Sequence, residues 1–374
     1  MSSDLANRAV AQIDLDAFAN NIEIVRSSCP EQSYLPIIKA NGYGHGLEAI
    51  AGVLLATAKQ VAQSVNSLEG CAIAALSEAQ RLRECGWDRP IVLLPGFIDT
   101  AELDECRRLG IDPVIHSPYQ LALMLANPNG ITRVWLKANT GMNRLGLNAE
   151  AWHEALTALS AVPNLAVVAM SHLACADELD SPVTRKQKLQ FDSLLADTGA
   201  IRKTLAASGG ILAWPQTHYD IVRPGIMLYG SSPFAGRSAQ SLGLLPVMTL
   251  KSRLIAINTL NAGDAVGYGG TFLADRPMRI GVVSIGYGDG YPRKAPTDTP
   301  VLVETAAGMQ RTTLKGRVSM DMITIDVTDL QVEVGASVVL WGDGLPADEI
   351  AQHCATIAYE LFCQVTARVP RQSS

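Results

Sequence analysis

The feature that most constrains the fold is a repeated unit of a short apolar strand, a loop and a helix. Strands are predicted at residues 34–38, 71–76, 91–94, 112–115, 134–138, 166–170, 204–207 and 219–222. Helices are predicted between them, at residues 47–63, 77–85, 100–109, 118–126, 149–159 and 184–197. An open doubly wound sheet normally has about five to seven strands. The repetition therefore predicts an α/β chain with an N-terminal closed (β/α)8 barrel of the TIM type.

The last third of the chain has a different pattern. Runs rich in strand-forming residues, at 247–257, 279–285, 301–304, 311–317, 322–327 and 338–341, are separated by glycine and proline turns. A final helix is predicted at 348–364. An N-terminal strand at 9–15 precedes the barrel and is followed by a helix with Asp16 as its N-cap. We expect a barrel over residues 14–243 and a mainly β domain over 244–374, which the N-terminal strand 1–13 joins.

Composition limits the class of protein. The chain has 374 residues, of which 48% are hydrophobic, enough for roughly two domains with full cores. Its net charge of −6 gives no basic surface for nucleic acid or an acidic membrane. The N-terminus lacks the apolar segment of a secretory signal, and no apolar run approaches about 18 residues, so we expect a soluble cytoplasmic protein. The 7 cysteines are scattered and the 6 histidines lack metal-ligand spacing, which predicts reduced thiols and no metal.

Polar residues follow several of the barrel strands. They are Lys39, Lys137, Arg144, His172, Ser208 and Arg223. Each alone is more often structural, but active sites of such barrels lie at the carboxyl ends of the strands, so together they predict one site. A partly buried Lys39 would be a nucleophile able to form a Schiff base, and the loops after the last two strands would hold phosphate. A Rossmann site fits poorly because the turn after Lys39 reads Gly-x-Gly-x-Gly.

Seven motifs make the sequence specific. In order they are IIKANGYGHG, LKANTGMNRLG, SHLA, VRPGIMLYG, VGYGGTF, IGYGDGYPR and GRVSMDM. With this order and spacing, the chain resembles the alanine racemases from about residue 11 to residue 368. The resemblance implies a fold-type III enzyme dependent on pyridoxal 5′-phosphate (PLP), with a barrel and a C-terminal β domain. It also implies a head-to-tail homodimer in which both chains contribute to each active site.

The same resemblance implies roles for individual residues. Lys39 matches the lysine that holds PLP as an aldimine, and Tyr268 matches the second catalytic base, contributed by the partner chain. Arg223 matches the arginine against the pyridine nitrogen, and His172 its hydrogen-bonded neighbour. Arg144 matches a group that binds the substrate carboxylate. The remaining matches are the phosphate contacts Tyr43, Ser208, Gly225, Ile226 and Tyr359, the partner's substrate contact Met320, the entrance residue Tyr287, and Lys137, which many members carry as a carbamate.

The chemistry of racemisation agrees with two bases. A proton must leave one face of the α-carbon and another must arrive on the opposite face. A free tyrosine titrates near about 10, so Tyr268 would need nearby positive charge, which we expect from His172 and Arg223. Arginine can only donate, so it would leave the ring nitrogen an unprotonated acceptor and make the cofactor a weaker electron sink.

Alternatives remain open beside the racemisation of alanine. Some positions depart from the commoner family pattern: the neighbours of Ser208 in Ala-Ala-Ser-Gly-Gly, then Gly267 and Ser319. They leave open a broader-specificity racemase of small amino acids. A PLP-barrel decarboxylase is disfavoured because such enzymes resemble one another in placing a carboxylate where Arg223 stands. A PLP carrier without turnover and a nucleotide-dependent dehydrogenase are further alternatives. The product D-alanine would supply peptidoglycan, although a catabolic role is also open.

Overall fold

The computed structural model describes residues 8–60, 66–196 and 198–374. A first strand, β1 (Val10–Ile13), precedes the barrel. The eight barrel strands are β2 (Ser33–Tyr34), β3 (Cys71–Ile73), β4 (Ile91–Leu93), β5 (Ile111–Ile115), β6 (Arg133–Lys137), β7 (Ala166–Met170), β8 (Arg202–Ala207) and β9 (Ile221–Arg223). All are parallel, in the order β2-β9-β8-β7-β6-β5-β4-β3. The parallel bridges Tyr34–Leu68 and Ile37–Ala72 join the two ends, which confirms the predicted barrel.

Helices surround this sheet. Their bounds are Leu15–Ser28, Leu47–Gln60, Leu76–Glu84, Thr100–Leu109, Pro118–Ala126, Ala149–Ser160, Pro182–Leu195 and Ser208–Ala213. The predicted N-cap at Asp16 is wrong, because the first helix begins at Leu15 and the side chain of Asp14 accepts from the amide of Ala17 at 2.8 Å. Asp14 has an extended backbone, as an N-cap requires, whereas Asp16 lies in the first turn. The predicted helical residues 61–63 and 197 lie outside the described residues.

The C-terminal part is built mainly of strands, as predicted. They are β10 (Met248–Leu260), β11 (Ala265–Val266), β12 (Phe272–Leu273), β13 (Met278–Val283), β14 (Pro300–Thr305), β15 (Gly308–Thr313), β16 (Ile323–Asp326), β17 (Ser337–Trp341) and β18 (Arg371–Ser373). β1 lies in this sheet, between β10 and β18, antiparallel to the first and parallel to the second. The chain therefore passes from β1 in this sheet into the barrel.

The predicted single helix at 348–364 is two helices, Ala347–His353 and Ala358–Gln364. Ala355 lies between them with φ at 51°, a left-handed conformation that ends a right-handed helix. The turn re-aims the second helix, which carries Tyr359 to the barrel mouth. One continuous core of buried side chains extends from the barrel, around Trp135, to the C-terminal sheet, around Trp341. In the described ranges, no helix is both long enough and apolar enough to cross a membrane.

Candidate active site

A cavity of about 970 Å³ opens at the carboxyl ends of the barrel strands. It is lined by residues that follow different strands, and by the helix Ala358–Gln364 from the C-terminal part. Ten of the predicted site residues line it: Lys39, Tyr43, Lys137, Arg144, His172, Ser208, Arg223, Gly225, Ile226 and Tyr359. The barrel topology thus assembles residues that are up to 320 positions apart in the sequence, from Lys39 to Tyr359.

Lys39 begins a turn of unusual handedness. The predicted strand 34–38 ends at Tyr34, and four residues from Ala40 to Tyr43 have φ of 53°, 57°, 62° and 49°. For residues other than glycine, a left-handed conformation costs roughly 1–2 kcal/mol each. Such strain persists only where the surroundings hold it, and it is common at functional sites. Here the turn places both Lys39 and Tyr43 in the wall of the cavity.

Positive charge collects around Lys39. Desolvation and then the nearby Arg144 lower the pKa of the Lys39 amine, while Cys363 and Glu78 partly oppose this. Burial also lowers the pKa of Lys137 to about 8, with further contributions from Arg223, Arg144 and Lys39. Both lysines therefore hold their protons less firmly than surface lysines, and a free amine is the nucleophilic form.

Arg223 is almost fully buried and is held by acceptors on β8 and by one that directly follows β7. It donates to Thr204 Oγ1 at 2.5 Å, to the Ser171 carbonyl at 2.7 Å and to the Leu205 carbonyl at 3.1 Å. Burial lowers its pKa to about 10, so the guanidinium remains charged at neutral pH. Its Nε–H has no acceptor among the described residues and is left for a ligand.

His172 is neutral beside this guanidinium. The Nη2 atom of Arg223 lies 3.2 Å from His172 Nδ1, and because guanidinium can only donate, Nδ1 accepts and the ring proton is on Nε2. Desolvation, reinforced by Arg223, holds the pKa of His172 well below its usual range. The expectation that His172 shares the positive charge is therefore wrong, and Arg223 carries it.

The cavity also offers neutral hydroxyl groups. Ser208 Oγ accepts from the amides of Gly225 at 3.0 Å and Met227 at 3.4 Å, which leaves its own proton free to donate. Burial raises the pKa of Tyr359 to about 12 and that of Tyr43 beyond its usual range, so both phenols keep their protons. The two rings lie 5.7 Å apart. Hydroxyl donors that remain protonated suit a phosphate group.

The donors in the cavity fit PLP. A lysine amine is available for its aldehyde, the unpaired Nε–H of Arg223 for its ring nitrogen, and the hydroxyls of Ser208 and Tyr43 for its phosphate. A neutral acceptor suits the guanidinium, which is itself a permanent donor at neutral pH. Among the described residues, no group of three or more His, Cys, Asp or Glu side chains has a metal-binding arrangement.

Three predicted site residues lie outside this cavity. Tyr268, Met320 and Tyr287 belong to the C-terminal part and are 71%, 52% and 40% exposed. Tyr268 begins a one-turn 3-10 helix that follows Gly267, whose φ is 70°. Within one chain, the structure thus separates Tyr268 from the cavity that Lys39 lines.

Sequence reasoning missed two residues near Lys39. Cys363 lines the cavity, and its signal is its position four residues after Tyr359 on a helix, which places both on one face. Glu78 is buried and accepts a hydrogen bond from the backbone of the left-handed turn. Its only signal is its place three residues after Ala75, at the start of a predicted helix, where a glutamate commonly caps the helix itself.

Comparison with known proteins identifies the family. The family described as "Alanine racemase, N-terminal domain" matches residues 13–233, and "Alanine racemase, C-terminal domain" matches residues 247–373. An alanine racemase from Alcanivorax borkumensis is 45% identical over 360 residues, which are 96% of this chain and 98% of that protein.

Solved structures agree over the whole length. The biosynthetic alanine racemase from Pseudomonas aeruginosa superposes with a TM-score of 0.91 at 41% identity, covering 98% of this chain and 99% of that one. An alanine racemase from Bartonella henselae, with covalently bound pyridoxal phosphate, has a TM-score of 0.87 at 26% identity, covering 98% of this chain and 99% of that one. The cavity lined by Lys39 and Arg223 thus lies in a fold shared with these racemases over nearly its full length, and the chain belongs to the alanine racemase family.

Proposed function

We propose that this chain interconverts L-alanine and D-alanine with PLP bound at Lys39. The proposal rests on one observation: a single cavity contains a lysine of lowered pKa, an arginine with an unpaired donor and a pair of neutral hydroxyl groups. Membership of the alanine racemase family, at 45% identity to a relative, supports the same activity. The Pseudomonas aeruginosa structure is of a biosynthetic alanine racemase, and we propose the biosynthetic direction, supply of D-alanine for peptidoglycan, for this chain also.

Each end of the cavity would hold one part of PLP. The hydroxyls of Tyr43, Ser208 and Tyr359 and the backbone around Gly225 and Ile226 would bind the phosphate. Arg223 would donate to the ring nitrogen, with His172 packed beside it as a neutral acceptor. Lys39 would form the covalent bond to the aldehyde carbon. Bound in this way, PLP would withdraw electron density from the α-carbon of an attached amino acid and so acidify its proton.

The protein's own groups would then move the proton. With the amino acid attached in its place, the Lys39 amine is free and, at its lowered pKa, can accept or return a proton on one face of the α-carbon. Racemisation needs a second proton carrier on the opposite face. We assign this role to the phenol of Tyr268 of the partner subunit, and the positive charge that would favour its phenolate form to Arg223.

Exposure of the C-terminal part supports a homodimer with shared sites. Tyr268 is 71% exposed in the single chain, and Met320 and Tyr287 are also exposed. These side chains can reach an active-site cavity only if a second copy of the chain brings them there. Further exposed apolar side chains of the C-terminal part, Leu273, Met309 and Met322, would be covered by the same contact. In the dimer, Met320 of the partner subunit would contact the substrate and Tyr287 of the partner subunit would line the entrance.

Lys137 and Arg144 would act on the substrate carboxylate. Arg144 is exposed to the cavity and would bind that carboxylate directly. Lys137, Arg144, Arg223 and Lys39 bring four cationic side chains to one cavity, which is unfavourable without an anion. We propose that the neutral Lys137 amine attacks carbon dioxide, forms an N–C bond and releases one proton, which gives a carbamate that positions Arg144.

The domain boundaries and the cellular location are part of the same proposal. We propose that the chain divides into a barrel, residues 14–243, and a C-terminal β domain, residues 244–374, joined by the strand within residues 1–13. The pairing of β1 with β10 and β18 supports this division. We also propose a cytoplasmic location, which the seven cysteines, all present as free thiols, support.

The direct test is the absorbance of the purified chain with PLP, followed by a chirality assay of the alanine it produces. We expect a visible band that Lys39→Ala abolishes together with D-alanine formation from L-alanine. Lys59→Ala, at an exposed position of the helix Leu47–Gln60, is the matched control and should retain both. A band in Lys39→Ala that borohydride fixes to another lysine would refute the assignment. A wild-type chain that binds PLP but leaves alanine unchanged would refute the activity.

A further inference from the structure

The turn that carries Lys39 and Tyr43 needs support from outside itself. Residues 40–43 are all left-handed, and Ala40 and Tyr43 have neither the freedom of glycine nor the local hydrogen bonding that lets asparagine adopt this conformation. The left-handed conformation therefore costs free energy at both residues. Contacts with the rest of the chain must offset this strain, because otherwise the turn would relax and move the Lys39 amine.

Glu78 makes the contact that is least explained by local structure. Its Oε2 accepts from the amides of Ala74 at 3.0 Å and Ala75 at 3.2 Å, which caps the helix Leu76–Glu84. Its Oε1 accepts instead from the amide of Asn41 at 3.1 Å, 37 residues earlier and in the middle of the left-handed turn. The side chain is buried, with 8% of the residue exposed. A glutamate that only capped its own helix would not need the second contact.

The neighbouring side chains complete this support. The side chain of Asn41 accepts from Arg81 at 2.8 Å and from the amide of Leu47 at 3.2 Å, where the next helix begins. Arg81 lies one turn after Glu78 on the same helix and also donates to Glu48 at 2.7 Å and 2.8 Å. The turn is thus fixed from one side by Glu78 and Arg81 of the helix Leu76–Glu84.

Glu78 also places a carboxylate near the Lys39 amine, since its Oε1 accepts from the amide of Asn41, two residues after Lys39. Arg144 and Lys137, from the segment that ends β6 and follows it, place positive charge near that amine. His172, after β7, is neutral, and burial raises the pKa of the Cys363 thiol on the helix Ala358–Gln364. Cys363 and Glu78 both oppose the effect of the positive groups on the Lys39 amine, and Glu78 is the carboxylate of the two.

We propose that Glu78 is a positioning residue for PLP capture. It fixes the left-handed turn that presents Lys39 and Tyr43, and it places a negative charge near the Lys39 amine. This inference rests on the proposed attachment of PLP to Lys39. Glu78 does not touch substrate or the reacting atoms. It acts through the Asn41 amide and through the field at the amine.

Glu78→Gln is the discriminating variant. Glutamine serves as well as glutamate in a helix cap, so the contacts to Ala74 and Ala75 can persist on its one carbonyl oxygen. Its amide NH2 then faces the Asn41 amide, two donors that repel, and the charge is gone. Glu78→Asp keeps the charge but is one methylene too short to span both contacts. Glu48→Gln removes the same charge from the same network at a half-exposed side chain paired with Arg81, and is the matched control.

The measurement is PLP capture by the full-length chain after removal of bound cofactor, followed by the growth of the visible band between about pH 6 and pH 10. For Glu78→Gln we expect PLP affinity to fall about tenfold or more. We also expect the pH midpoint of the capture rate to move to lower pH, because an amine without a neighbouring anion loses its proton more readily. A purely structural role would not move the midpoint.

The outcomes separate the proposals. Glu78→Asp should weaken PLP binding and keep the wild-type midpoint, and it also tests the inference if the glutamine variant fails to fold. Unchanged affinity in either folded variant, or an equal midpoint shift in Glu48→Gln, overturns the role of Glu78 and leaves the proposed function intact. A wild-type chain that forms no band overturns the proposed function and this inference with it.

Discussion

A β-carbon added to Gly225 would lie 2.9 Å from the hydroxyl oxygen of Tyr43. Two loops that are far apart in sequence therefore meet at the end of the cavity assigned to phosphate. The Tyr43 ring is buried and stacked on Tyr229, with ring centroids 4.6 Å apart, so it has little room to withdraw. The absence of a side chain at residue 225 is what permits the phenol and the backbone to line the same small volume.

Replacement of Gly225 by alanine should therefore weaken PLP binding. The added methyl group would displace the Tyr43 hydroxyl and fill part of the phosphate site, so we expect a loss of about tenfold or more in affinity. Titration of the full-length chain with PLP, followed by absorbance, measures this. Gly52→Ala is the control, since its added β-carbon has no atom within 4 Å apart from its chain neighbours and its own helix backbone. It should gain about 0.5–1 kcal/mol in stability. Equal affinity in Gly225→Ala and wild type would contradict the phosphate assignment.

The barrel was predictable from sequence because each of its strands is a short apolar run between turn residues. β7, at Ala166–Met170, matches its predicted bounds, and β6 differs by one residue. Errors arose where tertiary contacts override local preference. Asp14 and Asp16 are both suitable caps by residue type, and only the backbone at Asp14 decides between them. The break at Ala355 has no glycine or proline to signal it.

The site was predictable where residues follow barrel strands, and less so where backbone conformation decides. Strand order places Lys39, His172 and Arg223 at one mouth. Nothing in the sequence Lys39-Ala-Asn-Gly-Tyr43 requires a left-handed turn. The hydrogen bond from this turn to Glu78 was therefore not predicted. The neutral state of His172 was likewise missed, because desolvation depends on the packing of the whole cavity.

Stability should fall as the pH is lowered below about 6.5, partly through His45. This residue is fully buried, and burial lowers its pKa to about 4. The unfolded chain binds a proton on this histidine below about pH 6.5, whereas the folded chain does so only near pH 4. Stability from His45 is therefore present above pH 6.5 and is lost as the pH falls, by an amount on the order of 3 kcal/mol at pH 4.

Urea unfolding at several pH values tests this contribution. The Nδ1 of His45 lies 2.9 Å from the Tyr43 carbonyl, a contact that an asparagine amide can also make without a titrating group. His45→Asn should be less stable at neutral pH, since it loses ring contacts with Tyr229 and Phe362, and its stability should depend less on pH. His153→Asn, at an exposed position, should leave the pH dependence as in wild type. A wild-type slope in His45→Asn would show that this histidine is not the titrating group.

Carbamylation of Lys137 should be detectable directly. Its pKa of about 8 leaves part of the amine unprotonated at neutral pH, and the surrounding cations favour an anionic product. In the presence of ¹³C-bicarbonate, we expect a carbamate carbon signal that Lys137→Arg removes. Lys59→Arg should keep the signal. If the wild-type chain shows no carbamate signal, Lys137 is an ordinary amine, and the proposal that its carbamate positions Arg144 is wrong.

Two inactive variants should restore activity when they are combined. If each site takes Lys39 from one chain and Tyr268 from the other, a hybrid dimer of Lys39→Ala and Tyr268→Ala chains contains one intact site and one doubly defective site. Random reassortment makes about half of the dimers hybrids, so the mixture should recover about a quarter of wild-type activity. Mixing is done by mild dissociation and reassociation, with a wild-type sample treated in parallel. Two Lys39→Ala preparations mixed in the same way should stay inactive. Size exclusion and mass measurement show whether the mixture contains hybrids. If it does and no activity returns, both groups act within one chain. The position of Tyr268, 71% exposed and outside the cavity of its own chain, argues against that outcome.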